Sequence, residues 1–172
     1  MDAIAKRRQE DLTKLLDLQA EYRGVLAVTR KAGDPVSRVE LEIVLPTVRN
    51  ERYPEDKQTM SWVQIDLPAR YPFEPPKITV TTPVWNPNIF PSGLICLGEK
   101  WIPTHNLGLL VQRVLQILAL DPVIINVASP ANPEAGQWYV RTRQRNPNLF
   151  PTVRLDALRA AKKPVIQWKS LR

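Results

Sequence analysis

The chain has 172 residues, enough for one domain with a sizeable apolar core and too few for two comfortable ones. No apolar run approaches the roughly 18 residues that cross a bilayer, and the charged start MDAIAKRRQEDL lacks an apolar signal core, so membrane insertion and export are not expected. One cysteine and one histidine exclude an internal disulfide and argue against a metal centre, and the single thiol fits a reducing cytoplasm.

The net charge of +7 is unevenly placed. Residues 141–172 carry nine Lys/Arg and one acid, +8, while the other 140 residues carry 15 basic and 16 acidic residues, −1. The chain is therefore divided into a domain over 1–146 and a basic C-terminal extension over 147–172. Such a tail can bind nucleic acid, an acidic protein or anionic lipid, or simply be solvated. Its aromatic residues, Phe150 and Trp168, are too sparse for a base-stacking platform.

In chain order, residues 3–20 read as a helix, with Leu12, Leu15 and Leu16 on one face and Ile4, Ala5 and Ala20 roughly in line. Residues 25–31 suit a strand, and Gly33-Asp34-Pro35 marks a turn. Residues 37–45 alternate, with Val39, Leu41, Ile43 and Leu45 against Arg38, Glu40 and Glu42. Residues 47–58 are polar and read as loop. Residues 59–67 alternate again, setting Val63, Ile65 and Leu67 against Gln64 and Asp66. Eight prolines then fall between Pro68 and Pro103, leaving room only for a fourth strand at 77–82. The rest of that stretch holds Tyr71, Phe73, Trp85, Ile89, Phe90, Leu94 and Ile95, too apolar for disorder. A long, apolar, proline-stiffened loop packed on a domain is a functional candidate.

Residues 107–120 form a helix that is apolar nearly all round and therefore central. Asp121-Pro122 ends it, and Pro133 starts another near 134–145 in the favoured first-turn position. A short helix is expected near 154–163. Helices segregated from a four-strand antiparallel meander define an α+β fold.

Cys96 sits in the apolar run Gly-Leu-Ile-Cys-Leu-Gly, which by itself favours an inert, buried thiol. Its wider surroundings point elsewhere. Leu67–Pro76, then Lys77–Thr82, Asn86-Pro87-Asn88, Ile89 through Leu97, and Trp101-Ile102-Pro103 follow one another in an order and spacing that resemble the ubiquitin-conjugating enzyme family. The similarity is clear over about 60–118, and the Asn88-to-Cys96 spacing is especially like the SUMO-conjugating branch.

The resemblance implies a UBC-like fold in which Cys96 takes a ubiquitin-like protein as a thioester from an activating enzyme and passes it to an amine, lysine first, of a target protein. No cofactor is implied. A thiol suits this work because thioesters exchange readily and react well with amines. Asn88 corresponds to the family's oxyanion stabiliser, although an asparagine in a turn equally pins backbone. The motif's histidine is Asn86 here, and the position of an acidic residue that orients the incoming lysine is taken by Asn132. A neutral amide can position an amine but cannot attract its charge, so thioester formation is better supported than lysine transfer. His105 is either a local base or loop organiser replacing the missing motif histidine, or an ordinary residue at a helix start. By the same resemblance Lys6, Arg7 and Arg8 face the activating enzyme, and Phe73 and Pro103 a ligase. The departures suggest a prokaryotic relative. The alternatives are a non-catalytic UBC-fold module that binds a ubiquitin-like protein, against which Cys96 counts, and a nucleic-acid-binding protein acting through its tail.

Overall fold

The structure, a computed structural model, describes residues 2–98 and 100–159. Helix α1 (Ala3–Glu21) is followed by strands β1 (Leu26–Ala32) and β2 (Arg38–Ile43), a small hairpin of β3 (Thr47–Val48) and β4 (Lys57–Gln58), and strands β5 (Ser61–Asp66) and β6 (Lys77–Val80). Helices α2 (Leu107–Leu118), α3 (Pro133–Arg145) and the single turn α4 (Leu155–Leu158) complete it. The main sheet is an antiparallel meander in the order β1-β2-β5-β6, as the alternation predicts.

Its register aligns the apolar face. Val39 lies opposite Ile65, Leu41 opposite Val63 and Ile65 opposite Ile78. These side chains, with Ile43 and Val80, are almost fully buried and share one core with Leu12, Leu15 and Leu18 of α1 and the whole inner surface of α2. Helix α2 is central, as expected, but it is not apolar all round: Leu109, Gln112, Arg113 and Gln116 make one partly exposed face.

Several expectations need correction. Residues 47–58 are not simply loop. The β3–β4 pair is too short to carry a periodic signal, and it forms because Thr47, 1 % exposed, donates its hydroxyl to the Leu118 carbonyl at the end of α2 at 2.6 Å. On α1 the buried face is Arg8, Asp11, Leu12, Leu15 and Leu18, whereas Leu16 and Ala20 face solvent.

The boundary expected at residue 146 does not follow the packing either. Phe150 is buried and stacks on Tyr139 of α3, the Thr152 N–H donates to the Ala119 carbonyl at 2.7 Å, and Arg159 donates to the Tyr22 hydroxyl. Phe150, Thr152 and Arg159 thus contact the residues before that boundary. The rest of the expected basic extension, and the end of the helix expected at 154–163, lie outside the described residues.

Candidate active site

The proline-rich stretch is an ordered loop fastened to the outer edge of β6. The Val80 N–H donates to the Gly93 carbonyl and the Ile95 N–H to the Ile78 carbonyl, both at 2.9 Å. Residues 93–95 thereby satisfy the backbone groups that an edge strand leaves open, and they fix where the next residue lies. Gly93 has φ +86°, and a Cβ there would stand 2.2 Å from the Val80 oxygen, so only glycine allows so close an approach. Cys96 follows, half-buried, with its own N–H bonded to the Asn88 carbonyl at 2.8 Å.

Around that bond the asparagines form one system. Asn86, 1 % exposed, donates from Nδ2 to the Ile117 carbonyl of α2 at 2.6 Å and accepts the Asn88 N–H on Oδ1 at 2.9 Å. Asn88, 2 % exposed, donates from Nδ2 to the Ile124 carbonyl at 3.1 Å and accepts the Asn126 N–H on Oδ1 at 2.9 Å. Asn132 caps α3 by accepting the Ala135 N–H at 3.1 Å, and its own N–H reaches the Pro87 carbonyl at 3.2 Å. Cys96, Asn88, Asn86 and Asn132 are thus linked through one hydrogen-bonded loop cluster. Beside it, a cavity of about 880 Å³ runs between Thr79–Trp85, the Phe90–Gly93 turn and Asn132-Pro133-Glu134.

Two contributors escape sequence reasoning. The Asn126 side chain accepts the Ser129 N–H at 3.0 Å, bridging residues 126–129, and the Asn126 N–H donates to Asn88 Oδ1 at 2.9 Å. The spacing Asn-x-x-Ser was the available signal. Arg113 of α2 donates from Nε to the Leu97 carbonyl at 2.6 Å, one residue beyond the thiol.

His105 belongs to a different cluster. Its ring meets Trp101 edge-on at 5.6 Å, and its carbonyl accepts Arg7 Nη2 at 2.5 Å. Trp101 in turn lies against Tyr71 and donates its indole N–H to the Pro72 carbonyl at 2.7 Å. The Tyr71 hydroxyl donates to Asp11, which also receives Arg7 Nε at 2.8 Å. Burial and the neighbouring Asp11 carboxylate push the Tyr71 hydroxyl well above the ordinary phenol range. No described hydrogen bond joins His105 to the asparagine system.

The basic triplet on α1 divides. Lys6 is solvent-exposed beside Glu10. Arg7 is largely committed to Asp11 and the His105 carbonyl. Arg8 cannot offer a surface charge, contrary to the sequence expectation. It is 6 % exposed and spends its guanidinium on the carbonyls of Val36, at 2.9 Å, and Pro68, at 2.7 Å. Phe73 is 68 % exposed, so core packing does not account for it. Pro103 is also exposed, and the Trp101–Pro72 bond ties together the two loops that carry these residues. No cluster of His, Cys, Asp and Glu suited to a metal ion occurs among the described residues, and no described helix is long and apolar enough to cross a membrane.

Comparison with known proteins gives a consistent result. The family model described as ubiquitin-conjugating enzyme matches residues 27–150, well over half of the chain. A probable ubiquitin-conjugating enzyme E2 31 of Arabidopsis thaliana is 38 % identical over 84 residues, covering 47 % of this chain and 52 % of its own length. The ubiquitin-conjugating enzyme E2-20 kDa of Schizosaccharomyces pombe is 38 % identical over 80 residues, 45 % of this chain and 43 % of its own. A ubiquitin-conjugating enzyme E2 of African swine fever virus is 33 % identical over 87 residues, 44 % and 38 % respectively. The matched region thus spans about half or less of these relatives. Among solved structures, human ubiquitin-conjugating enzyme E2 G1 superposes with a TM-score of 0.50 at 21 % identity, covering 69 % of this chain and 98 % of that one, which establishes the shared α+β fold. With the family match running from β1 to Phe150 and the fold agreeing, the chain belongs to the ubiquitin-conjugating enzyme family.

Proposed function

We propose that the chain is an active conjugating enzyme that carries a ubiquitin-like protein as a thioester on Cys96. The observation that carries this reading is the position of the only thiol: half-buried, at the end of an ordered loop, and bonded through its own N–H to Asn88. In the first step the Cys96 sulfur attacks the thioester carbonyl held by an activating enzyme, and the activating enzyme's thiolate leaves. In the second, an amine of the target attacks the Cys96 thioester, the Cys96 thiolate leaves, and an amide forms with loss of the amine proton.

Each step passes through an oxyanion. Asn88 is the assigned donor through the N–H of its amide that does not serve Ile124, since an amide nitrogen carries two. Asn86 orders the loop, and Asn132, its oxygen already engaged at the helix cap, lines the cavity beside it. His105 organises the Trp101 loop in this reading. Lys6 and the outer face of α1 meet the activating enzyme, while Phe73 and Pro103 offer an apolar surface to a ligase. The cytoplasm is the compartment that suits a single reduced thiol.

The test mixes the protein with a cognate activating enzyme, ATP and ubiquitin-like protein. A thiol-sensitive adduct is expected, which Cys96→Ala abolishes and Cys96→Ser converts to a thiol-resistant ester. No adduct with a verified set overturns the reading.

A further inference from the structure

The loop beyond Cys96 is short, with four residues between it and Trp101, and among the described residues no β-bridge follows Ile95. Arg113 fastens it to α2. This residue projects from α2, whose inner surface is fully buried and whose N-terminus is capped by Asn106. Its Nε donates to the Leu97 carbonyl at 2.6 Å, a short, charge-assisted bond. Immediately after, Gly98 takes φ +75°, and a Cβ there would meet the Arg113 Nη2 at 3.7 Å. The Arg113 guanidinium thus lies on the side of Gly98 where a side chain would stand. Leu97 itself packs against the core. On the other side the Cys96 N–H is held by the Asn88 carbonyl at 2.8 Å. The two attachments are one residue apart, on the Cys96 N–H and the Leu97 carbonyl, so the main chain that carries the thiol is held on both sides.

We infer that Arg113 is a positioning residue for Cys96: it acts through the Leu97 carbonyl to hold the thiol half-buried and fixed against the Asn88 loop. This deepens the thioester reading and rests on it. An arginine suits the task because its Nε–H lies in a planar guanidinium with fixed donor directions, whereas a lysine ammonium is a point charge without that geometry.

The experiment uses the full chain, in which Cys96 is the only cysteine, so that alkylation by iodoacetamide reports this one thiol. Arg113→Lys and Arg113→Ala are compared with Val39→Ala, a cut in the sheet core that lowers overall stability away from the loop. Arg113 has a further interaction besides the Leu97 bond, so the alanine variant removes more than one contact and the lysine variant keeps the charge. Both Arg113 variants are expected to be alkylated roughly three- to tenfold faster than wild type under conditions where all remain folded, as a local opening of the loop becomes easier. Val39→Ala should alkylate at the wild-type rate. In parallel, transfer from a preformed Cys96 thioester should slow in both Arg113 variants.

Wild-type alkylation in the Arg113 variants overturns the inference. So does full rescue by lysine, which would make charge and not the held carbonyl the cause. Because alkylation needs neither an activating enzyme nor a ubiquitin-like protein, failure here is separate from failure of the thioester reading, which shows as a wild-type protein that never forms the adduct.

Discussion

Replacing Asn88 by alanine separates the two jobs assigned to it. The substitution removes the bonds to the Ile124 carbonyl and from the Asn126 N–H, at a site only 2 % exposed. A buried polar group left without its partner costs about 1–3 kcal/mol. The Asn126 end is partly open to water, so the combined loss should be about 2–4 kcal/mol. For a domain of this size that lowers Tm by roughly 4–16 °C. If the amide also stabilises the oxyanion, discharge of a preformed thioester to free lysine should fall by about 10²–10³-fold in protein that is still folded. The assays are urea denaturation followed by tryptophan fluorescence and single-turnover discharge. Asn126→Ala serves as comparator, since it removes the Asn126–Ser129 bond while leaving the Asn88 side chain and its Ile124 partner in place. A folded Asn88→Ala protein that discharges at the wild-type rate refutes the oxyanion role. One whose stability is unchanged within about 0.5 kcal/mol refutes the pinning role. Equal slowing by Asn126→Ala assigns the effect to loop order and not to a donated hydrogen bond.

Three further outcomes are expected. Gly93→Ala, which places a Cβ 2.2 Å from the Val80 oxygen at a positive φ, should cost about 2–4 kcal/mol by denaturation and loosen the loop enough to accelerate Cys96 alkylation. Tyr71→Phe should flatten the alkaline loss of stability. Burial and Asp11 raise this phenol in the folded state, so its contribution is fully present below about pH 10, where the unfolded tyrosine is neutral, and is lost as pH rises above it. Tyr53 and Tyr139 are also raised by burial and remain in the variant, so denaturation midpoints from pH 9 to 11 should show a smaller decline, not none. Phe73→Ala, at a side chain 68 % exposed, should leave Tm within about 1–2 °C, yet reduce ligase-stimulated transfer several-fold; a large fall in Tm would mean that the ring packs after all.

What the sequence disclosed follows from how strongly each segment repeats. Strands β2 and β5 alternate over six or more residues, and their buried positions match the expected ones. Helix α2 buries eight of its twelve residues, and so wide an apolar face marks it as central. The loop before Cys96 was legible as ordered because proline excluded regular structure while its apolar content excluded disorder. The two-residue strands β3 and β4 have no period to detect. Arg8 was misread for a different reason. Three basic residues in a row look like a charged surface, but at helical spacing Arg8 stands one turn before Leu12 and two before Leu15, on the buried face. The period held the answer, and the composition concealed it. Within the site, Cys96 and the asparagines could be named from the motif order. Their hydrogen-bond partners could not, because every one is a backbone group, identical in all residues and silent in sequence.

That last point bears on the replacement of the motif histidine by Asn86. A neutral imidazole offers one donor and one acceptor, and so does an amide seen from its two ends. Asn86 uses both, with Nδ2 on the last turn of α2 and Oδ1 on the Asn88 N–H, so it joins the helix to the loop as a two-sided group must. It does so without titrating, whereas a histidine changes its acceptor into a donor near neutral pH. Asn88 repeats the device toward residues 124–126, while Asn132 accepts the Ala135 N–H at the start of α3. The thiol's position is therefore set by neutral amides and carbonyls on one flank and by a single arginine on the other. It follows that loop order on the asparagine flank should be insensitive to both pH and salt through the neutral range. Any strong pH dependence of transfer there must then arise in the reacting thiol and amine, not in the scaffold that presents them.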